Sequence, residues 1–211
     1  MTVDAPRTIV GIVLAGGRGR RMGGQGKSQL MLGGQPLLTR AVDRLAPQVS
    51  RLVVSANGAP GPLERSAWPV VRDPMPGFAG PLAGLLAGMN WALETVPDFT
   101  HVVTVAVDTP FFPQDLVARL SHAAPNSWIA VATSGGRVHP VFALVPRALA
   151  PDLAAFLGEG RSFKVADWLA RHALREVDFA GSTALADPFF NINTPDDLAR
   201  AEALAAGCAR G

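Results

Sequence analysis

The chain has 211 residues and a formal charge of +2, with 48% hydrophobic and 17% charged residues and a single cysteine, Cys208. That length fits one domain with a full-sized core, and the composition excludes intrinsic disorder, a disulfide scaffold and a multi-cysteine zinc site. The positive charge is local: residues 1–35 net +4, from Arg7, Arg18, Arg20, Arg21 and Lys27 against Asp4, while the remainder nets −2, which points to a confined anion site and away from a nucleic-acid-coating surface.

Thr8–Leu14 (TIVGIVL) is a β-branched run that stops at a Gly-rich turn, and it predicts a buried parallel strand. Leu37–Leu45 carries apolar residues at helical spacing. Arg51–Ser55 predicts a second strand, and Val70–Arg72 a very short one ended by Asp-Pro. Gly80–Leu93 predicts an apolar helix. The apolar run Pro81–Val96 is interrupted by Asn90 and Glu94 and falls short of the roughly 20 residues that span a bilayer. With Asp4 and Pro6 near the start and too few apolar residues after them for a signal h-region, the expected compartment is the cytoplasm, with no membrane partner. His101–Val107 predicts a central strand ending at Asp108-Thr109-Pro110, followed by a helix over Pro113–Ser121. Strand and helix alternate to this point, which predicts a parallel sheet with helices on both faces. Strands are then expected over Trp128–Ala132, Val141–Val145 and Leu174–Phe179, and helices over Arg147–Leu157 and Phe163–His172. A last helix begins at Thr194-Pro195, an N-cap followed by proline at the first helical position. The fold class is α/β in three layers with a mostly parallel sheet, one domain over residues 1–211.

Ligands of such sheets bind at the carboxyl ends of the strands, and here those ends carry Gly16-Gly17, Asn57, Asp73 and Asp108. The segment Leu14–Lys27 holds six glycines in 14 residues together with Arg18, Arg20, Arg21 and Lys27. Such a loop lets backbone N–H groups close on phosphate oxygens while the cations supply countercharge. It is neither a Walker loop nor a dinucleotide fingerprint, since the required glycine spacing is absent. A flexible Gly/Arg surface loop is the competing reading. The chain uses 17 Arg and only 2 Lys, so Lys27 stands out, and a compact ammonium suits a point contact to phosphate; a solvated lysine is the alternative. Asp108 closes the strongest strand, where a carboxylate can hold Mg²⁺ while phosphates and water complete the octahedron, although capping by Asp108 or Thr109 before Pro110 would explain the same residues. Asn57 and Asp73 could contact a base or ribose, yet Asn-Gly and Asp-Pro are also ordinary turn pairs. His101 and His139 have no nucleophile partner in a motif and no metal spacing; both read as structural, with His139 the better candidate for substrate contact.

Together with Gly80-Pro81-Leu82-Ala83-Gly84, Arg137-Val138-His139-Pro140 and Asn191-Ile192-Asn193-Thr194-Pro195, these elements resemble the molybdenum cofactor guanylyltransferase family over about residues 8–202. The opening loop alone matches the wider nucleotidyltransferase superfamily, and the His-Pro and Asn-x-Asn-Thr-Pro elements narrow the resemblance to the guanylyl branch. The resemblance implies a Rossmann-like fold of the nucleotide-diphospho-sugar transferase type. It implies transfer of GMP from Mg-GTP to molybdenum-bound molybdopterin, with release of pyrophosphate. It also implies a nucleotide-binding half over residues 1–125 and a pterin-substrate half over 126–211. Nucleotide contacts then fall on Leu14, Ala15, Gly16, Gly17, Lys27, Asn57, Asp73 and Asp108, with Asp108 holding Mg²⁺. Catalytic roles fall on Arg21, Lys27 and Asp108, and the second substrate on Gly80, Pro81, His139, Asn191 and Asn193. No nucleic-acid partner is expected; transient contact with molybdenum insertion proteins or the recipient apoenzyme is. Gly26 departs from the family pattern, which places an acidic residue before the lysine.

The chemistry is consistent with that implication. A phosphate monoester is mostly dianionic at neutral pH, its second pKa being about 6, so it attacks without a histidine base. What it requires is relief of anion–anion repulsion and neutralisation of the leaving pyrophosphate, which Mg²⁺, loop N–H groups, Arg21 and Lys27 would supply. Two alternatives share the same residues: another nucleotidyltransferase, making a cytidylyl cofactor or a nucleotide-sugar, and a nucleotide-binding regulator without turnover.

Overall fold

In the computed structural model, residues 7–16, 26–57, 68–73, 80–160, 162–181 and 187–208 are described. The sheet is built outward from β1 (Ile9–Leu14), whose successive side chains point to opposite faces, Val10 and Ile12 to one and Ile9 and Val13 to the other. Parallel strands flank it on both sides, β4 (Arg51–Ser55) and β6 (His101–Ala106). Beyond β4 lies β5 (Val70–Val71), also parallel. Beyond β6, β8 (Arg137–Pro146) runs antiparallel to both β6 and β7 (Ile129–Ser134), and β9 (Leu174–Asp178) pairs parallel with β7. The order is therefore β5-β4-β1-β6-β8-β7-β9. A small antiparallel hairpin, β2 (Met31–Leu32) and β3 (Gln35–Pro36), stands apart from this sheet.

Helices cover both faces. One core joins the sheet to α1 (Leu37–Leu45), α3 (Leu116–Ala123) and α6 (Pro195–Cys208). The other joins it to α2 (Pro81–Thr95), α4 (Ala150–Glu159) and α5 (Val165–Leu169). The α/β class and mostly parallel sheet expected from the sequence are observed.

Helix α2 lies so close to β1 that its inner face needs glycine. A Cβ at Gly88 would stand 2.5 Å from Ile12 Cδ1 and 2.7 Å from Ile12 Cγ1. Gly88→Ala should therefore destabilise despite alanine's better helix propensity, because overpacking a close-packed core outweighs that gain, by about 1–2 kcal/mol net. For a chain of this size that lowers Tm by about 2–8 °C; calorimetry showing an unchanged or higher Tm would contradict the packing described.

The structure corrects several element boundaries. The helix expected over Pro113–Ser121 begins at Leu116, after a turn in which Leu116 N–H donates to Pro113 O, and Gln48 Oε1 accepts the Val117 N–H at 3.0 Å. The strand expected over Val141–Val145 extends back to Arg137, because Gly135 and Gly136 take φ of 55° and 76° and close a tight hairpin onto β7. The expected helix Phe163–His172 contracts to α5, with Phe163 exposed.

Candidate active site

The carboxyl ends of β1, β4 and β6 and the N-terminus of α2 enclose a cavity of about 510 Å³. Leu14, Gly16, Lys27, Asn57, Gly80, Pro81, Asp108 and Asn191 all line it. Gly80 has φ +70° and ψ −157°, a conformation open to glycine, and it turns the chain so that Pro81 starts α2 at the cavity wall. Gly80 and Pro81, expected against the second substrate, thus stand beside Lys27 and Asn57. Ala15 is buried and does not line the cavity; its N–H donates to Ser55 O at 2.8 Å and extends the β1–β4 ladder. Asp73 stands behind Asn57: Asn57 Oδ1 accepts the Asp73 N–H at 2.7 Å, and Asn57 Nδ2 donates to Asp73 Oδ2 at 3.3 Å. This pair fixes the orientation of the Asn57 amide. Gly17 and Arg21 lie outside the described residues.

A second cavity, of about 400 Å³, adjoins the first and shares Ala106, Val141 and Asn191 with it. His139, Asn193, Arg137, Asp187, Phe189 and Asp197 also line it. The segment carrying both asparagines is tied to the nucleotide side by its backbone, since Ile192 N–H donates to Asp108 O at 2.8 Å. It is also tied to α6 by a reciprocal cap. Asp197 Oδ2 accepts the N–H groups of Asn193 (3.0 Å) and Thr194 (2.9 Å), while Thr194 Oγ1 accepts the Asp197 N–H at 3.1 Å. That is a capping box with aspartate in the usual place of glutamate. The Asn193 N–H, followed by Thr194 Oγ1, holds the Asp197 carboxyl below the ordinary carboxylate range.

Lys27 lines the first cavity and reaches across to Asn193 in the lining of the second. A short 3₁₀ turn, Lys27–Gln29, aims its side chain inward. Its Nζ donates to Asp108 Oδ2 at 2.7 Å and to Asn193 Oδ1 at 2.5 Å. Both Lys27 and Asp108 side chains remain 17% exposed, so the pair is open to a ligand and is not sealed in the core. Gly26, just before it, has φ −58° and open space around a built Cβ apart from Ser28 Oγ at 3.6 Å, so an acidic side chain would fit there.

Asp108 can serve a divalent cation. Lys27 takes Oδ2, and among the described residues no hydrogen bond reaches Oδ1. No cluster of three His, Cys, Asp or Glu side chains is found among the described residues. That donor set fits Mg²⁺, which is commonly held by one or two carboxylates with phosphates and waters completing its octahedron, and does not resemble an all-protein cage.

His139, on β8, is buried, its ring stacked on Phe189 in the chain before α6 with centroids 4.3 Å apart. Its Nε2 lies 2.7 Å from Ser134 Oγ, and Ser134 Oγ donates to Asp187 Oδ1 at 3.2 Å. Burial lowers its pKa below the ordinary imidazole value, Arg137 adds to the shift, and Asp187 opposes it. His101, by contrast, is a core residue at the amino end of β6, its ring nitrogens 3.0 Å from Thr100 Oγ1 and Asn126 O. A cavity of about 770 Å³ beside it, lined by Phe99, Pro146 and Arg147, lies at the opposite end of β6 from Asp108 and contains none of the sequence-expected site residues.

Sequence reasoning passed over Ser55, Ser134, Asp187 and Phe189. Ser55 ends β4 and lines the first cavity, so the strand-end rule that singled out Asn57 also reaches it. No local signal marks the other three.

Residues 11–177 match the family model described as a MobA-like NTP transferase domain. A molybdenum cofactor guanylyltransferase of Mesorhizobium japonicum is 50% identical over 202 residues, covering 94% of this chain and 96% of that one. One from Rhizobium johnstonii is 50% identical over 198 residues, covering 92% and 91%. In fold, the chain is similar to the crystal structure of molybdopterin-guanine dinucleotide biosynthesis protein A from Archaeoglobus fulgidus, with TM-score 0.76, 24% identity and coverage of 94% and 99%. With half of its residues identical to such relatives along nearly their whole length, the chain belongs to the molybdenum cofactor guanylyltransferase family, built on a MobA-like NTP transferase domain.

Proposed function

We infer that the chain transfers GMP from Mg-GTP to the phosphate of molybdenum-bound molybdopterin. The observation that carries this reading is Lys27, which pairs with Asp108 in the lining of the first cavity and reaches Asn193 in the lining of the adjoining one. One cavity suits a nucleotide and the other a second substrate. The new bond joins a phosphate oxygen of the pterin substrate to the α-phosphorus of GTP; the bond from that phosphorus to the α,β-bridging oxygen breaks, and pyrophosphate leaves with the electron pair. Asp108 is the side chain that would hold the divalent ion, which would supply neutralisation of charge across the triphosphate. Lys27 offers three N–H donors and can exchange its Asp108 and Asn193 partners for phosphate oxygens. Gly16, Gly17 and Arg21 serve the same phosphates from the loop. Asn57, oriented by Asp73, serves the nucleoside. Residues 1–125 form the nucleotide half and 126–211 the pterin half, a division supported by the second cavity's drawing most of its lining from beyond residue 125. Among the described residues no helix is long and apolar enough to cross a membrane. A cytoplasmic setting is the reading that use of GTP as donor supports. Handover to insertion proteins or the recipient apoenzyme follows product formation.

The direct test is a panel of four NTPs with Mg²⁺ and molybdenum-loaded molybdopterin, read by pyrophosphate release. GTP alone should support efficient turnover. Preference for CTP would move the chain to a cytidylyl activity, and binding without pyrophosphate release would make it a regulator. Asn191 and Asn193 bear on the second substrate. Asn193→Ala should raise the pterin KM about tenfold, the worth of one or two hydrogen bonds, with GTP affinity within about threefold of wild type. Equilibrium binding of GTP and steady-state kinetics in the pterin substrate separate the two, and loss of GTP affinity with an unchanged pterin KM would reverse the assignment of the half-sites.

A further inference from the structure

We propose that Ser134 and Asp187 set the tautomer of His139, so that its Nδ1 stands as a hydrogen-bond acceptor for an N–H donor of the second substrate's pterin ring. The inference rests on the guanylyltransferase reading for the identity of that substrate, but its tautomer component stands on the geometry alone.

The Ser134 hydroxyl has one proton and two neighbours that could take it: His139 Nε2 at 2.7 Å and Asp187 Oδ1 at 3.2 Å. An ionised carboxylate only accepts. Were the proton given to His139, Ser134 Oγ and Asp187 Oδ1 would face each other at 3.2 Å with no proton between two oxygens. Given to Asp187, it satisfies that contact, and His139 Nε2 then donates its own proton to Ser134 Oγ. Asp187 is itself fixed, because the same Oδ1 accepts the Phe189 N–H at 2.9 Å. The ring plane of His139 is fixed by its stack on Phe189, with an interplanar angle of 29°. Burial and Arg137 favour the neutral ring against the pull of Asp187. A neutral imidazole carries one N–H; with that on Nε2, Nδ1 holds a lone pair. Among the described residues no hydrogen bond reaches Nδ1. The cavity that His139 lines also holds Asn191 and Asn193, whose amides offer both donors and acceptors. An acceptor set opposite mixed amides suits a ring whose edge carries amino and ring N–H groups. His139 is then a specificity-determining residue, and Ser134 and Asp187 are positioning residues.

The test combines a spectroscopic readout with kinetics on the full chain. Long-range proton–nitrogen spectra of ¹⁵N-labelled protein at pH 7.5, with the His139 signals assigned by their loss in His139→Asn, should show the Nε2–H tautomer. Asp187→Ala removes the acceptor of the Ser134 proton, which Asp187→Asn would not, since its amide oxygen would stay on the Phe189 N–H; Ser134 then gives its proton to His139, and the Nδ1–H tautomer should appear. In this variant and in Ser134→Ala the KM for molybdenum-bound molybdopterin should rise about tenfold, with kcat within about twofold and GTP affinity unchanged. His139→Gln, which keeps a polar group near Nε2 but none near Nδ1, should raise that KM further, and His139→Asn, which returns an acceptor near Nδ1, should recover part of it. An Nδ1–H tautomer in the wild type overturns the proposal whatever the activity. A changed tautomer with an unchanged pterin KM overturns the contact while leaving the guanylyltransferase reading in place. Absence of transfer by the wild type overturns that reading, and with it the pterin as ligand.

Discussion

Asp108→Asn should lower GMP transfer about 10³-fold or more at ordinary Mg²⁺ while leaving the chain folded. Neutralising the carboxylate removes the metal's protein ligand, and a bound divalent ion contributes several kcal/mol of charge stabilisation at a transferring phosphoryl group. The amide is isosteric, so the contact that anchors the site from below, Ile192 N–H to Asp108 O at 2.8 Å, is retained. The Lys27 and Asp108 side chains are each only 17% exposed, so the lost ion pair carries its own stability cost, which the melting curve reads apart from turnover. Turnover per folded molecule, measured across a Mg²⁺ titration beside a melting curve, decides the matter. Near-normal turnover would show that Asp108 only shapes the turn after β6.

Lys27→Ala should cost about 10²–10³ in transfer rate, the typical loss on removing one preorganised donor from a site of developing negative charge. Lys27→Arg should not restore it. The Nζ sits between Asp108 Oδ2 at 2.7 Å and Asn193 Oδ1 at 2.5 Å, and a planar guanidinium cannot occupy the place of a single ammonium held that closely from both sides. Full activity of the arginine variant would mean that bulk positive charge near the loop suffices. A lowered Tm with unchanged turnover in the alanine variant would make the lysine a structural clamp between the Asp108 turn and the segment before α6.

The strands β1, β4 and β6 and the helix α1 were legible because their signals are short-range. β-branched runs bounded by glycine or Asp-Pro mark the strands, and a 3.6-residue apolar spacing marks Leu37–Leu45. Two hairpins passed unread although each carries a local sign. Gly33-Gly34 and Gly135-Gly136 both take positive φ at successive residues, and a Gly-Gly pair between apolar runs is a hairpin signal. The second matters more. It lengthens β8 back to Arg137 and so places His139 on a strand beside Ser134. Helix α5 is shorter than the expected span Phe163–His172: at its start Ser162 Oγ accepts the Lys164 N–H and donates to Asp167 Oδ2, tying the chain before Val165 outside the helix.

Sequence alone therefore determined the alternation of strand and helix, the placement of Gly16, Asn57 and Asp108 at strand ends, and the cap at Thr194, since each depends on neighbours a few residues away. Tertiary structure decided which of those ends meet. Lys27 reaches Asp108 across 81 positions and Asn193 across 166, and Ser134 reaches Asp187 across 53. Those unions follow from the sheet order, in which β8 enters antiparallel between β6 and β7 and adds its His139 edge to the cavity system reached from β1, β4 and β6. No local periodicity encodes that order, because strand pairing is a competition among distant edges settled by burial of both faces at once.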